Sequence, residues 1–191
     1  MAVTIKDTDK GFKKIMNSVK QIKDSYVTVG VHKDAEPYPD GASVQLVAAA
    51  NEYGADIQNG FGKGIHITIP SRPFLRGTWD DKFTEMVKVI KRVHGKALDQ
   101  AMSVQQAMDQ IGFRFMSLVQ KAIENWTTPP NAPSTQRAKA NKEAMAKKGP
   151  KTEKKRKSSE AGMTKAGLND PLVNTRHLKK SINFESNIPN E

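Results

Sequence analysis

Hydrophobic and polar positions recur along this chain with two periods, and each change of period marks a new element. From Asp7 to Lys23, the residues Phe12, Ile15, Met16, Val19 and Ile22 fall three and four apart among lysines. That spacing predicts a surface helix with one face inward, capped by Asp7, Thr8 or Asp9. Tyr26 to His32 switches to period two, with Val27, Val29 and Val31 on one side, and reads as a strand with one buried face. Asp34 to Gly41, with two prolines and a Pro-Asp-Gly sequence, reads as a loop. Ser43 to Tyr53 predicts an alanine-rich helix with Leu46, Ala49, Ala50 and Tyr53 on one side and Gly54 as its stop. Its small residues allow close packing on a neighbour. Asp56 to Gly64 has three glycines and no apolar period, and predicts an extended or mobile loop.

The chain turns at Ile65-His66-Ile67-Thr68-Ile69-Pro70-Ser71-Arg72-Pro73-Phe74-Leu75-Arg76. Its first half alternates as a strand, which the two prolines stop, and Pro73 suits the first turn of a helix. Two long helices follow. One carries Leu75, Trp79, Phe83, Met86, Ile90 and Val93 to about Gly95. The other runs from roughly Asp99 to Trp126 on Val104, Met108, Ile111, Phe115, Leu118 and Ala122. Helices of this length joined by a short polar link pack as an antiparallel hairpin over one face of a sheet. Thr127 to Thr135 holds three prolines that end the second helix, and Ser134 or Thr135 can cap a short helix to about Lys147. Lys147 to Gly167 loses apolar periodicity and reads as mobile in isolation. A turn of helix from Pro171 to Lys180 and a strand from Ser181 to Glu185 close the pattern.

The expected fold is therefore α+β: a small, mostly antiparallel three-stranded sheet with helices packed on one face, a long helical hairpin and an extended basic C-terminal segment. Residues 1–126 form the core. Residues 127–170 hold the proline motif, a short helix and the lysine-rich segment, and residues 171–191 return a turn of helix and a strand to the core sheet. Three strands leave open edges, where a neighbouring copy can join.

Composition changes this picture in two places. With 191 residues the chain has room for one well-filled domain, and with no cysteine it has no disulfide, thiolate metal site or cysteine nucleophile. No signal peptide and no bilayer-spanning stretch is expected. The net charge is +11, but residues 137–165 hold eleven Lys or Arg against three Glu, +8, and leave +3 for the rest. Basicity thus belongs to one segment. Lys147, Lys148, Lys151, Lys154, Lys155, Arg156 and Lys157 are its candidates for contact with DNA phosphates or with an acidic partner. The run has no aromatic residue, which argues against base stacking.

Signals for catalysis are weak. His32, His66, His94 and His177 fall in no metal-ligand spacing, and the adjacent Asp80 and Asp81 point to different faces of a helix. Gly60-Phe61-Gly62-Lys63-Gly64 lacks the hydroxyl residue of a phosphate loop and precedes a strand instead of a helix. No nucleophile elbow is present. The expectation is a non-enzyme with no cofactor and no metal.

Several separated motifs occur in a definite order: Val29-Gly30-Val31-His32, Ala50-Asn51-Glu52-Tyr53-Gly54, Ile69 to Arg76, Pro129-Pro130-Asn131-Ala132-Pro133-Ser134-Thr135, and Pro171-Leu172-Val173-Asn174-Thr175 with Leu178 and Ser181-Ile182. This set, spanning about residues 27 to 184, resembles the tail-completion and neck (head-tail joining) proteins of long-tailed bacteriophages. It departs from them in having Asn174 and Thr175-Arg176 where members have an aspartate and a Thr-Gly pair, and in a longer lysine-rich insertion. The resemblance implies a virion protein without catalytic activity, forming a ring in the neck or at the head-proximal end of the tail, assembled in the host bacterial cytoplasm. Six copies are favoured and twelve is the alternative. Connector, tail-terminator or tail-tube proteins are its implied neighbours, genomic DNA passes through the lumen, and no membrane is involved. On this reading Arg72, Phe74, Arg76, Asn131, Ser134, Thr135, Asn174 and Arg176 are candidate interface residues. Arg72 and Arg76 either brace subunit contacts or salt-bridge within the fold. Asn131, Ser134 and Thr135 either cap or dock. The alternative function is a small nucleic-acid-binding accessory protein using residues 137–165 as a basic arm.

Overall fold

The computed structural model describes residues 11–60, 64–133, 135–137, 139–141, 172 and 176–189. In chain order the elements are α1 (Phe12–Asp24), β1 (Tyr26–Val31), α2 (Val44–Tyr53), β2 (Ala55–Gly60), β3 (Ile65–Ile69), α3 (Arg76–Leu98), α4 (Val104–Asn125), α5 (His177–Ser181) and β4 (Ile182–Asn187). A further run of helical residues lies within 133–141. The class is mixed helix and strand, with two small antiparallel sheets.

The three-stranded sheet is corrected by the pairing. β1 pairs with β4, while β3 pairs with β2, a stretch expected to be loop. The register Ala55↔Ile69, Asp56↔Thr68 and Ile57↔Ile67 makes a local antiparallel hairpin, whose closure costs little loop entropy. Cross-strand chemistry replaces the missing apolar alternation: Asp56 Oδ1 accepts from Thr68 Oγ1 at 3.1 Å and pairs with His66 Nε2 at 2.8 Å. The extended basic segment expected toward the C-terminus, Lys147 to Lys157 included, lies outside the described residues.

The chain divides into two compact units, and α3 and α4 contribute residues to both. The first takes the described residues of Met1–Val29, Lys82–Phe115 and Phe184–Glu191. Its core is Val93, Ala97 and Ala107, packed by Ile22, Val89, Met102 and Ile111. Ala97 meets Ala107 near the connecting turn, and Glu85 pairs with Arg114 farther from it, so α3 and α4 run antiparallel here as expected. Gly112, buried in α4, lets the sheet approach. A Cβ there would collide with the Phe184 ring on β4 and stand 2.9 Å from Val27 Cγ1 on β1.

The second unit takes Gly30–Asp81 and the described residues of Met116–Asn183. Ser43 caps α2 by accepting from the Leu46 N–H at 3.2 Å. Gly54 ends it at φ 81°, where a Cβ would press 3.1 Å from the Ile69 carbonyl and the Ser71 nitrogen. Tyr38 of the 32–42 loop lies beside His177, ring centroids 4.6 Å apart, and His177 Nε2 contacts the Glu36 carbonyl at 2.8 Å. Burial of Tyr38, with Asp40 adding to it, pushes the phenol above its usual range.

On α1 the apolar stripe is more exposed than its spacing predicts. The stripe of α1 was expected inward, yet Phe12, Ile15, Met16 and Val19 are 68%, 41%, 40% and 42% exposed, and Ile22 alone joins the core. On α2 the buried residues are Val44, Ala48 and Glu52, while Leu46, Ala49 and Tyr53 face solvent.

Candidate functional site

The motif residues of the second unit converge on the turn from β3 into α3. Pro70 stops the strand, and two residues on, Arg72 N–H donates to the Asn51 carbonyl at 2.6 Å. Thr78 Oγ1 donates back to the Phe74 carbonyl at 2.6 Å, and Gly77 N–H to the Pro73 carbonyl at 2.8 Å. Pro73 thus stands where a first helical turn has no need of its missing N–H. Phe74 is fully buried beneath the turn.

A helix start leaves N–H groups without intrahelical partners. Here α2 supplies the acceptor. Glu52, 3% exposed, receives Leu75 N–H at 2.9 Å on one carboxylate oxygen and Arg76 N–H at 3.0 Å on the other. Arg76 Nε reaches the second oxygen at 3.1 Å, and Arg76 Nη2 donates to the Glu52 carbonyl at 3.1 Å. The same guanidinium lies 4.7 Å from the Tyr53 ring centre, within cation–π range. A buried carboxylate at a helix N-terminus, paired with a cation, has both its charge and its lone pairs satisfied.

Arg72 does the complementary work. It is 5% exposed, and it donates from Nη1 to Asn51 Oδ1 at 3.1 Å, from Nε to the Pro129 carbonyl at 3.1 Å and from Nη2 to the Pro130 carbonyl at 3.2 Å. Burial lowers its pKa from the ordinary arginine value. Its planar fork suits this task, because three acceptors at fixed angles can be met at once. Segments 21, 57 and 58 residues away are thereby tied to one side chain. Asn131, 8% exposed, continues the joint, and its carbonyl accepts from Gln136 Nε2 at 2.8 Å.

Of the expected interface residues, then, Arg72, Phe74 and Asn131 are inside the subunit and present almost no surface. Arg76 pairs with Glu52 within the fold, whereas Arg72 bonds only to neutral acceptors. Arg76 keeps 57% of its side chain exposed. Thr135 is exposed and sits within a helical run that already includes Pro133, so it does not cap that run's start. Arg176 precedes α5 in the left-handed region at φ 58°, its Nε buried without a hydrogen-bond partner. Ser134, Asn174 and the seven basic candidates from Lys147 to Lys157 lie outside the described residues.

Glu52, the acceptor at the start of α3, has no role in the sequence reading. Its signal was present: Glu52 is in phase with Val44 and Ala48 on the buried side of α2, where a carboxylate needs a partner.

In the first unit, α3 and α4 flank a cleft of about 740 Å³ lined by Glu85, Val89, Arg92, Asp109, Phe113 and Phe184 among others. Its two carboxylates are engaged by neighbouring side chains. Glu85 pairs with Arg114, and Asp109 Oδ1 accepts from Gln105 Nε2 at 2.8 Å and Ser186 Oγ at 2.7 Å. Among the described residues no cluster of His, Asp or Glu could hold a metal, and no helix is long and apolar enough to cross a membrane. What the joint can do is mechanical: it ties β3, α2, the first turn of α3 and the proline segment together.

Comparison of the chain with family models, with curated proteins and with solved structures returns no match.

Proposed function

We propose that this chain is a structural virion protein of a tailed bacteriophage, a tail-completion or head-tail joining component that forms a ring in the neck or at the head-proximal end of the tail. The observation that supports the reading is the use made of the ordered motifs. Asn51-Glu52-Tyr53, Ser71-Arg72-Pro73-Phe74-Leu75-Arg76 and Pro129-Pro130-Asn131 meet in one hydrogen-bonded corner. The buried Glu52 and Arg72 spend their hydrogen bonds within the chain. A subunit that carries load in a ring needs such a rigid corner, and its function then lies in contacts with copies of itself and with connector, tail-terminator or tail-tube neighbours. Six copies are favoured and twelve is the alternative, with the DNA passing through the lumen.

Purified particles test this: the chain should be present at a ring stoichiometry, and particles lacking it should fail to join heads to tails. Its absence from particles would contradict the reading. The concentration of positive charge at 137–165 favours one alternative, a nucleic-acid-binding accessory protein. That reading predicts tight, steeply salt-dependent DNA binding by a monomer, lost when residues 147–157 are deleted.

A further inference from the structure

Two apolar stripes face solvent, and their charged surroundings are opposite in sign. On α1 the exposed Phe12, Ile15, Met16 and Val19 make one ridge along about three-fifths of the helix, at spacings that place them on a single face. Around them stand Lys13, Lys14, Lys20 and Lys23 against Asp24. On α2, Leu46 at 71% and Tyr53 at 67% exposure flank the exposed Ala49, whose small side chain lets another backbone come close. The loop before α2 is held to it by Gln45 Nε2, which donates to the His32 and Lys33 carbonyls at 2.9 and 3.2 Å. That loop exposes Asp34, Glu36 and Asp40 against Lys33 alone, an acidic patch in a chain of net charge +11. Among the described residues, Lys14, Lys20 and Lys23 have no carboxylate partner, and Asp34, Glu36 and Asp40 have no cationic one.

We infer that α1 of one copy docks on α2 of the next, its apolar ridge over Leu46, Ala49 and Tyr53 and its lysines against the acidic loop. Each copy then offers a basic helix and an acidic seat. The contact is heterologous, and such contacts build a ring where the rotation between copies closes and a filament where it does not. Burial of the apolar ridge provides affinity, while the charges set register and encounter rate. This deepens the ring reading above and rests on it for its biological setting, although the contact itself concerns only copies of the chain.

The test uses the full chain and two substitutions at exposed positions, Ile15→Asp on the ridge and Leu46→Asp on the seat, with folding checked by circular dichroism. Native mass should show that wild type associates beyond a dimer and that each variant alone associates at least about tenfold more weakly. An equimolar mixture of the two should stop at a heterodimer, because only one competent contact remains between them. A paired charge reversal gives the second readout. Lys14→Glu with Lys20→Glu, and Asp34→Lys with Glu36→Lys, should each block assembly, and mixing them should restore it. Wild type that stays monomeric up to about 1 mM overturns the inference. So does assembly unmoved by both substitutions, or a monomer that instead binds anionic vesicles through α1. Loss of this contact in a protein still found in particles leaves the virion reading standing. A ring built this way by a protein absent from particles removes that reading and keeps the contact.

Discussion

The corner around Arg72 and the outward faces of α1 and α2 spend the same kinds of residues in opposite ways. At the corner, the charges of Glu52 and Arg72 are buried and each is answered from within the chain: Glu52 by two backbone N–H groups and Arg76, Arg72 by three acceptors. On α1 and α2, apolar side chains stand in water, and Lys14, Lys20, Lys23, Asp34, Glu36 and Asp40 stand near them without an ion-pair partner among the described residues. The difference separates residues that fix a subunit's shape from residues that leave it something to bind. Substitutions in the first region should therefore change stability and leave self-association to follow passively. Substitutions in the second should do the reverse.

The largest effect is expected from Phe74→Ala. This ring is fully buried, so its removal should cost about 4 kcal/mol through lost transfer energy and a residual cavity, read as a lower urea midpoint at an unchanged slope. Next comes the loss of an answered charge. Glu52→Ala leaves the start of α3 uncapped, and Arg72→Lys cannot reach three acceptors with one ammonium, so each should cost about 2 to 3 kcal/mol. A neutral outcome at Arg72 would mean that the proline segment is not held by it.

Gly112→Ala sharpens the comparison from a different side. At an open helical position alanine gains about 1 kcal/mol over glycine. Against Phe184 and Val27 the added methyl should instead cost about 2 kcal/mol, because ring and β-branched side chain must both shift. Ile15→Asp and Leu46→Asp, in contrast, should alter the stability of the dilute monomer by less than about 0.5 kcal/mol, as surface changes do. The smallest effect is a pH dependence. His94 Nε2 is buried without a hydrogen-bond partner, and desolvation lowers its pKa from 6.5. The unfolded chain then binds the proton more readily than the folded one. Stability should accordingly fall as pH drops from 6.5 toward the lowered value and level off below it, and His94→Gln should flatten that slope.

Periodicity made α1, β1, α2, α3 and α4 legible, because each has enough apolar residues at three-and-four or alternate spacing. It could not reveal β2. Asp56, Gln58 and the glycines show no alternation, and that strand depends on the adjacent β3 and on the Asp56 contacts with Thr68 and His66. Nor could it say which strands share a sheet, since pairing is decided by what each strand packs against. The corner was half legible: two prolines and two arginines announced a rigid turn, whereas the acceptors for Arg72 lie on backbone carbonyls that no side-chain pattern encodes. For α1 and α2 the pattern located the apolar side correctly. A stripe shows that burial is favoured, but it does not say whether the cover comes from the same chain.

An averaged image of intact particles at the neck tests the central claim most directly. The account predicts a closed ring of this chain, six copies or twelve, each subunit keeping its Glu52–Arg72–Arg76 corner internal while α1 meets the neighbouring α2. Particles whose neck and tail contain no density for it, with the protein monomeric in the infected cell, would contradict the account.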